Sequence, residues 1–302
     1  MNDGLAIAVL EPAVLIGATY ALLAVGYAVA YSSMNIVNFA HGEVMMAGAV
    51  AGYLFLDLEF VRSSVPGVLA FVTAIAIGGL VGAGIAFLIQ RVLYRPLRDR
   101  GRLALVLSAL GASIFLQQVG QLILRLHGTG SSERRLEIRD DSTVGRSSAA
   151  MSEMAGLILL IASLFALVWL VQKTPFGIRL RAIAFSPEAM RRLKQPVDTT
   201  IGWAFAVGGL VAGAAGVVYA KQYTLTPYMG FLPGMKAFLA CIVGGRSIQG
   251  AVLGGFAIGM TEGILSGYVG ADWRDIVTGI LIVAMLLYRP DGLFATPRPR
   301  TL

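Results

Sequence analysis

Asn38, His41 and Glu43 fall within six residues of the stretch NIVNFAHGEV (35–44), between one apolar run and another, MMAGAVAGYLFL. The His-x-Glu pair is part of a zinc-deaminase pattern, but that chemistry needs a downstream Pro-Cys-x-x-Cys. The chain has one cysteine, Cys241, and it lies in an apolar run. Residues two apart do not share a helix face, and the other histidine, His127, lies in a distant polar loop. A catalytic metal centre is therefore not expected, and no nucleophile–base pairing replaces it. Two readings of the stretch stay open. In one, Asn38 caps a helix start, Gly42 permits a tight turn and the polar groups rest at a membrane surface. In the other, a broken helix presents its groups to a pathway. Such breaks are tolerated only inside protein or beside water. A carboxylate buried there costs about 2.5–3.5 kcal/mol, so it needs a partner or a use.

A second interrupted stretch lies near the other end, FLPGMKAFLACIVGGRSIQGAVLGGFAIGMTEGIL, with Pro233, Gly234, Gly244, Gly245 and Gly250 breaking a short apolar run. Lys236 and Glu262 are its rare charges. Paired short, Gly/Pro-interrupted segments in two halves of a chain point to a transport site. The pairing implies an internal repeat, although the halves do not align residue by residue. The pathway candidates are Asn38, His41, Glu43, Gly244, Gly245 and Glu262. Gly255, Gly259, Gly263 and Gly267 recur every fourth residue, a stripe on which another backbone can approach closely. Glu262 flanks that stripe. Gly209 with Gly213, and Gly78 with Gly82, form similar pairs.

The elements that hold these residues are membrane helices. Of 302 residues, 57% are hydrophobic and 14% charged, and the mean hydropathy is +0.76. A soluble domain carries about 25% charged residues, so a soluble globule is excluded. The 37 glycines fit helices packed through small faces. A bilayer core needs roughly 20 apolar residues as helix. The apolar runs place segments near 12–32, 44–57, 66–90, 103–124, 154–172, 200–220, 232–245, 250–269 and 273–288. The fold class is all-α, one polytopic membrane domain over 1–302 with about 8 transmembrane helices, some short or broken, packed through Gly-rich faces. No cleavable signal peptide is evident in MNDGLAIAVLEP.

The net charge of +7 comes from short basic blocks between apolar runs and needs no nucleic-acid partner. The links RVLYRPLRDRGR (91–102) and KTPFGIRLRAIAFSPEAMRRLKQPVDTT (173–200) should be cytoplasmic. Counting segments puts the N-terminus outside, the tail RPRTL inside and 125–153 outside as an extracytoplasmic loop. There Glu133, Glu137, Asp140 and Asp141 offset most of the basic charge. In the cytoplasmic segment 173–199, Phe176, Ile178, Leu180, Ile183 and Phe185 alternate with Arg179 and Arg181. Ser186 is a good N-cap, Pro187 suits the first turn and Glu188 favours the helix N-terminus. A short helix over Pro187–Leu193, stopped by Pro196, is predicted. It could dock on a soluble motor subunit, because the chain has no nucleotide-binding G-x-x-x-x-G-K-[ST] motif of its own.

Five motifs in order resemble one family, the LivH-type permease of branched-chain amino acid ABC importers: IVNFAHGEVMMAGA, YRPLR with LSALGASIFLQQ, TPFGIRLRAIAFSPEAMRRL, PYMGFLPGMKAFLACIVGGRSIQGAVLGG and YRPDGLF. The resemblance covers nearly the whole chain. It implies a bacterial inner-membrane transport subunit without catalysis of its own. It also implies a second, LivM-type permease as heterodimer partner, two ABC ATPase subunits, an extracytoplasmic solute-binding protein and a lipid surround. ATP and Mg would belong to the ATPases, with no cofactor in this chain. Arg181, Pro187, Glu188, Ala189 and Leu193 would couple to the ATPases. Glu188 and Ala189 match the start of the coupling pattern E-A-A-x-x-x-G. Met190 replaces its second alanine and Lys194 its glycine, which predicts a different turn after the helix, since lysine resists a left-handed conformation. Branched-chain or other hydrophobic amino acids are the expected cargo. Urea, amides or small organic acids on the same architecture, or an autonomous channel or ion-coupled carrier using Glu43 or Glu262, are the alternatives.

Overall fold

The computed structural model describes residues 2–34, 38–127, 146–245, 247–268, 270–289 and 292. They form helices and turns, with no strand among the described residues. In chain order these are α1 (Asn2–Met34), α2 (His41–Leu56), α3 (Glu59–Ser64) and α4 (Gly67–Ile89), the last running through a π turn, Gln90–Tyr94, into α5 (Arg95–Leu97). Then come α6 (Arg102–Leu126), α7 (Arg146–Lys173), α8 (Pro175–Phe185), α9 (Pro187–Arg192) and α10 (Val197–Gln222). After these come α11 (Phe231–Val243), α12 (Ile248–Tyr268) and α13 (Ala271–Tyr288). Among the described residues, six helices are long and apolar enough to cross a membrane: α1, α4 with its extension, α6, α7, α10 and α12. The expected segments are all present. α2 and α11, with 16 and 13 residues, are the short ones.

Turn chemistry sets many boundaries. Pro66, Thr174–Pro175, Ser186–Pro187 and Pro196 precede helices, where a fixed φ and a missing N–H cost nothing. Gly101 and Gly270, at φ of 96° and 98°, turn the chain into α6 and α13. Two expectations change here. The segment 125–153 is partly helical, because α6 runs to Leu126 and α7 begins at Arg146. Glu133, Glu137, Asp140, Asp141 and the tail RPRTL lie outside the described residues. The apparent alternation over 176–185 is a helix, α8, with Leu180 and Ile183 three apart and buried while Phe185 is exposed.

The core is built on α1 and α10, whose spans are 94% and 83% buried, against 28% and 22% for α6 and α7. Glycine stripes let their neighbours approach. Gly255, Gly259 and Gly263 of α12 lie on Ala21, Gly17 and Ala13 of α1, so these two helices are antiparallel. A methyl group added at Gly259 would sit 2.7 Å from the Gly17 Cα, closer than carbon atoms pack. Gly78 and Gly82 of α4 meet Gly213 and Gly209 of α10 in the same way, so the two glycine pairs expected separately are one interface.

These contacts reveal an inverted repeat. Each half has a long buried helix, a break, a short helix and a second long helix: α1, α2, α4 and then α10, α11, α12. The second long helix of each half packs antiparallel on the first helix of the other. α1 and α10 are themselves antiparallel. Gly208 lies by Gly26, whereas Tyr219 stacks on Tyr223, whose ring lies under Arg274 in the cluster that holds Tyr20. The repeat escapes residue-by-residue alignment because it conserves small contact positions rather than side-chain identity. At one end of the bundle Asp198, at the start of α10, takes Arg98 at 3.0 Å, Arg95 at 3.6 Å and Arg191 at 3.7 Å. The two basic links therefore lie together, on the same side of the bundle.

Candidate functional site

The polar break leads straight into the first turn of α2. The N-cap is Ala40, with no side-chain cap, so Asn38 does not cap the helix as its type had implied. Its Oδ1 instead accepts from the Ala40 N–H at 3.2 Å and from the Tyr94 hydroxyl at 3.0 Å, tying the break to the end of α4. His41 fills the notch that Gly26 of α1 and Gly208 of α10 leave open. The Tyr27 ring meets it edge-on with centroids 4.7 Å apart. Glu43 turns towards α6, where its Oε1 accepts from Gln117 Nε2 at 2.8 Å and Ser113 Oγ at 3.3 Å.

All three side chains are at least 98% buried, and each retains a polar atom with no partner: Asn38 Nδ2, His41 Nε2 and Glu43 Oε2. Buried polar atoms are nearly always paired, so three orphans in six residues set this turn apart. They do not converge on one point. A helical step of about 100° sends His41 to α1 and α10, and Glu43 to α6. Such divergence cannot form a chelating His-x-Glu site.

Between them, Gly42 lies against the backbone of Gly230 and Gly234 at the start of α11. The two short helices thus meet at their N-termini, whose unpaired N–H groups carry partial positive charge. Gly208 lies eleven residues into the 26-residue α10, so this meeting point, beside His41, is about midway along the core. The break that pairs with 38–40 is thus 223–230. Gly244 and Gly245 instead form the α11–α12 turn, Gly245 at φ 74°. That turn lies about 20 Å from Gly230, at 1.5 Å per residue of α11.

Glu262 belongs to a separate cluster of charges. Its Oε2 pairs with Lys236 at 2.6 Å, and its Oε1 accepts from Tyr20 at 3.0 Å and lies 3.4 Å from Arg274. Lys236 also reaches Asp275 at 2.6 Å, and Arg274 lies 3.3 Å from Asp275. Two acids and two bases cancel, which makes a nearly buried Glu262 tolerable. The cluster ties α11, α12 and α13 to α1.

In the segment 173–199, Ser186 Oγ accepts from the Ala189 N–H at 3.2 Å, and α9 covers Pro187–Arg192 with Leu193 as C-cap. Glu188 lies in its first turn. Arg181 donates to the last carbonyls of α7, Val171 at 2.6 Å and Gln172 at 3.4 Å. Lys194 does adopt the left-handed conformation, at φ 57°. Gln195 N–H bonds Met190 O at 3.0 Å and Lys194 N–H bonds Arg191 O at 2.9 Å, a complete Schellman turn. The different turn expected from the missing glycine is not found, because these two bonds offset the strain of a lysine there.

Several residues here were invisible to motif reading. Ser113 and Gln117 sit in the run LSALGASIFLQQ, where polar groups in an apolar span were the available signal. Arg274 and Asp275 looked like the rim of the last span, and Tyr20 looked like ordinary core. Asp198 was one acid in a basic link, with nothing local to show three arginines converging on it.

With this geometry in view, comparison with known proteins is direct. The family described as branched-chain amino acid transport system, permease component, matches residues 10–286. The chain is similar to the high-affinity branched-chain amino acid transport system permease protein LivH of Escherichia coli K12, 34% identical over 297 residues covering 94% of each chain. It is similar to BraD of Pseudomonas aeruginosa, of the same description, at 34% identity over 93% of each. A Photorhabdus laumondii autoinducer 2 import system permease protein, LsrC, matches at 32% over 44% of this chain and 42% of its own.

Proposed function

Because this chain belongs to the permease component family of branched-chain amino acid transport systems, we propose that it is the membrane subunit of an ATP-driven importer of branched-chain or other hydrophobic amino acids. The membership itself makes it a multi-pass transport subunit. The carrying observation is that the match extends over both halves of the inverted repeat, residues 10–286, including both short helices and α9.

In this reading the substrate crosses beside the meeting point of α2 and α11, helped by a second, LivM-type permease. An extracytoplasmic binding protein delivers it. The end carrying Asp198 and its three arginines faces the cytoplasm of the bacterial inner membrane, as the positive-inside rule requires. There Phe185, 93% exposed, and Leu193, 68% exposed, flank α9 as apolar contacts for an ATPase. Arg191 links α9 to Asp198, the first turn of α10, and α10 runs on to Gly208 beside His41. Displacement of α9 by an ATP-bound partner would thereby reach the centre of the bundle through a rigid helix. Glu188, Pro187 and Ala189 preserve the docking turn, and Arg181 anchors its upstream end.

The test replaces 186–194 with a flexible Gly/Ser linker in the assembled transporter. Loss of ATP-dependent uptake, with unchanged helix content and retained basal ATP hydrolysis by the partners, supports the reading. Uptake at the parental rate would mean that the chain works as an autonomous carrier.

A further inference from the structure

Glu43 is the one buried acid of the bundle interior whose charge the described residues leave uncompensated. Its side chain is fully enclosed, yet no lysine, arginine or histidine lies within ion-pair distance among the described residues. Glu262, the other buried acid among the described residues, has Lys236 and Arg274. The two acids differ in their surroundings. One is locked in a neutral cluster, and the other faces α6 with two hydrogen bonds on Oε1 and none on Oε2.

Those two bonds orient the carboxylate and hold its free oxygen fixed. Gln117 at 2.8 Å and Ser113 at 3.3 Å are donors, and the first turn of α2 adds the positive end of a helix dipole. Donated hydrogen bonds and a helix N-terminus both favour the charged form, while burial opposes it. A positive group on Oε2 would resolve the conflict. The wall on that side is lightly packed. α6 packs on α2 and the turns flanking α5, and its span is 28% buried, so it can part from α2 without disturbing α1 or α10.

We propose that Glu43 is a binding site for the primary ammonium group of a transported amino acid, reached when α6 separates from α2. This rests on the amino-acid reading given above. Ser113 and Gln117 hold Oε1 and so position Oε2. An ammonium ion offers three donors, can take Oε2 and one place on Oε1, and cancels the buried charge. An inorganic monovalent cation would satisfy the same oxygen, so the test separates the two sources.

The experiment uses the purified transporter complex in detergent and reads thermal unfolding with leucine, 3-methylbutylamine (the amine without the carboxylate), 4-methylpentanoate (the acid without the amine), or sodium chloride. Leucine and the amine are expected to raise the midpoint of the parent complex, and the acid and the salt are not. Glu43→Gln keeps size and hydrogen bonding, so it should fold and lose both shifts. Glu43→Asp, with its carboxylate drawn back by one methylene, should need about tenfold more ligand. The proposal is overturned if Glu43→Gln keeps the leucine and amine shifts, if sodium matches the amine, or if no amine shifts the parent. Protection by the amine but by no branched-chain amino acid would leave the ammonium site standing and defeat the substrate reading instead.

Discussion

Substitution of Gly213 by alanine tests whether the core is set by backbone contact between the two halves. An added methyl would stand 2.9 Å from the Gly78 carbonyl carbon and 3.2 Å from the Gly82 Cα, and tighter still on the Gly78 oxygen. These atoms are backbone on a packed helix, so α4 itself has to move. Overpacking of this kind costs about 1–3 kcal/mol. Gly84 on the same α4 has nothing within 4 Å of its missing methyl, and alanine there gains at most about 1 kcal/mol of helix propensity. Both variants share that gain, so their difference isolates the contact. The unfolding equilibria should differ by about 5- to 150-fold, with Gly213→Ala the weaker. Titration from dodecylmaltoside into SDS, followed by helix circular dichroism, reads the two midpoints. Equal midpoints, or a more stable Gly213→Ala, would refute backbone contact as the organising feature of α4 and α10.

Three further outcomes are expected. Lys236→Met leaves Arg274 as the remaining cation beside Glu262 and Asp275 and should destabilise by up to about 3–5 kcal/mol, seen in the same titration. A double change with Glu262→Gln should recover part of that. Asp198→Asn removes the negative charge facing three arginines, Arg95 and Arg191 half-exposed and Arg98 more buried, and exposed pairs are each worth about 0–1 kcal/mol. It should hardly alter the unfolding midpoint yet weaken the stimulation of ATP hydrolysis by loaded binding protein. Lys194→Gly should keep transport and raise stability by up to about 1 kcal/mol, since glycine adopts the left-handed turn without strain; a loss of uptake would show that the lysine itself contacts the partner.

Helix positions were readable because membrane spans announce themselves by length and hydropathy, and α9 because Ser186-Pro187-Glu188 is a local start signal. Glycine spacing predicted close faces, but not which face met which; that Gly78/Gly82 and Gly209/Gly213 are partners is a long-range fact. Asn38, His41 and Glu43 stood out as polar groups in an apolar setting. Their separate destinations did not, because neighbouring residues on one helical turn diverge towards elements far away in sequence. The Glu262 cluster was half legible, with Lys236 visible and Arg274 and Asp275 hidden at the edge of a span. The glycines at 234, 244, 245 and 250 marked an interrupted stretch, but nothing local showed that Gly230 and Gly234 are the ones that meet Gly42.

The most direct test is leucine uptake into proteoliposomes holding this chain with its second permease, both ATPases and external binding protein. Accumulation that requires ATP and Mg on the cytoplasmic side, and that ceases when the ATPases are omitted, is the predicted result. Equal entry of leucine without ATP or without the ATPases would contradict the account.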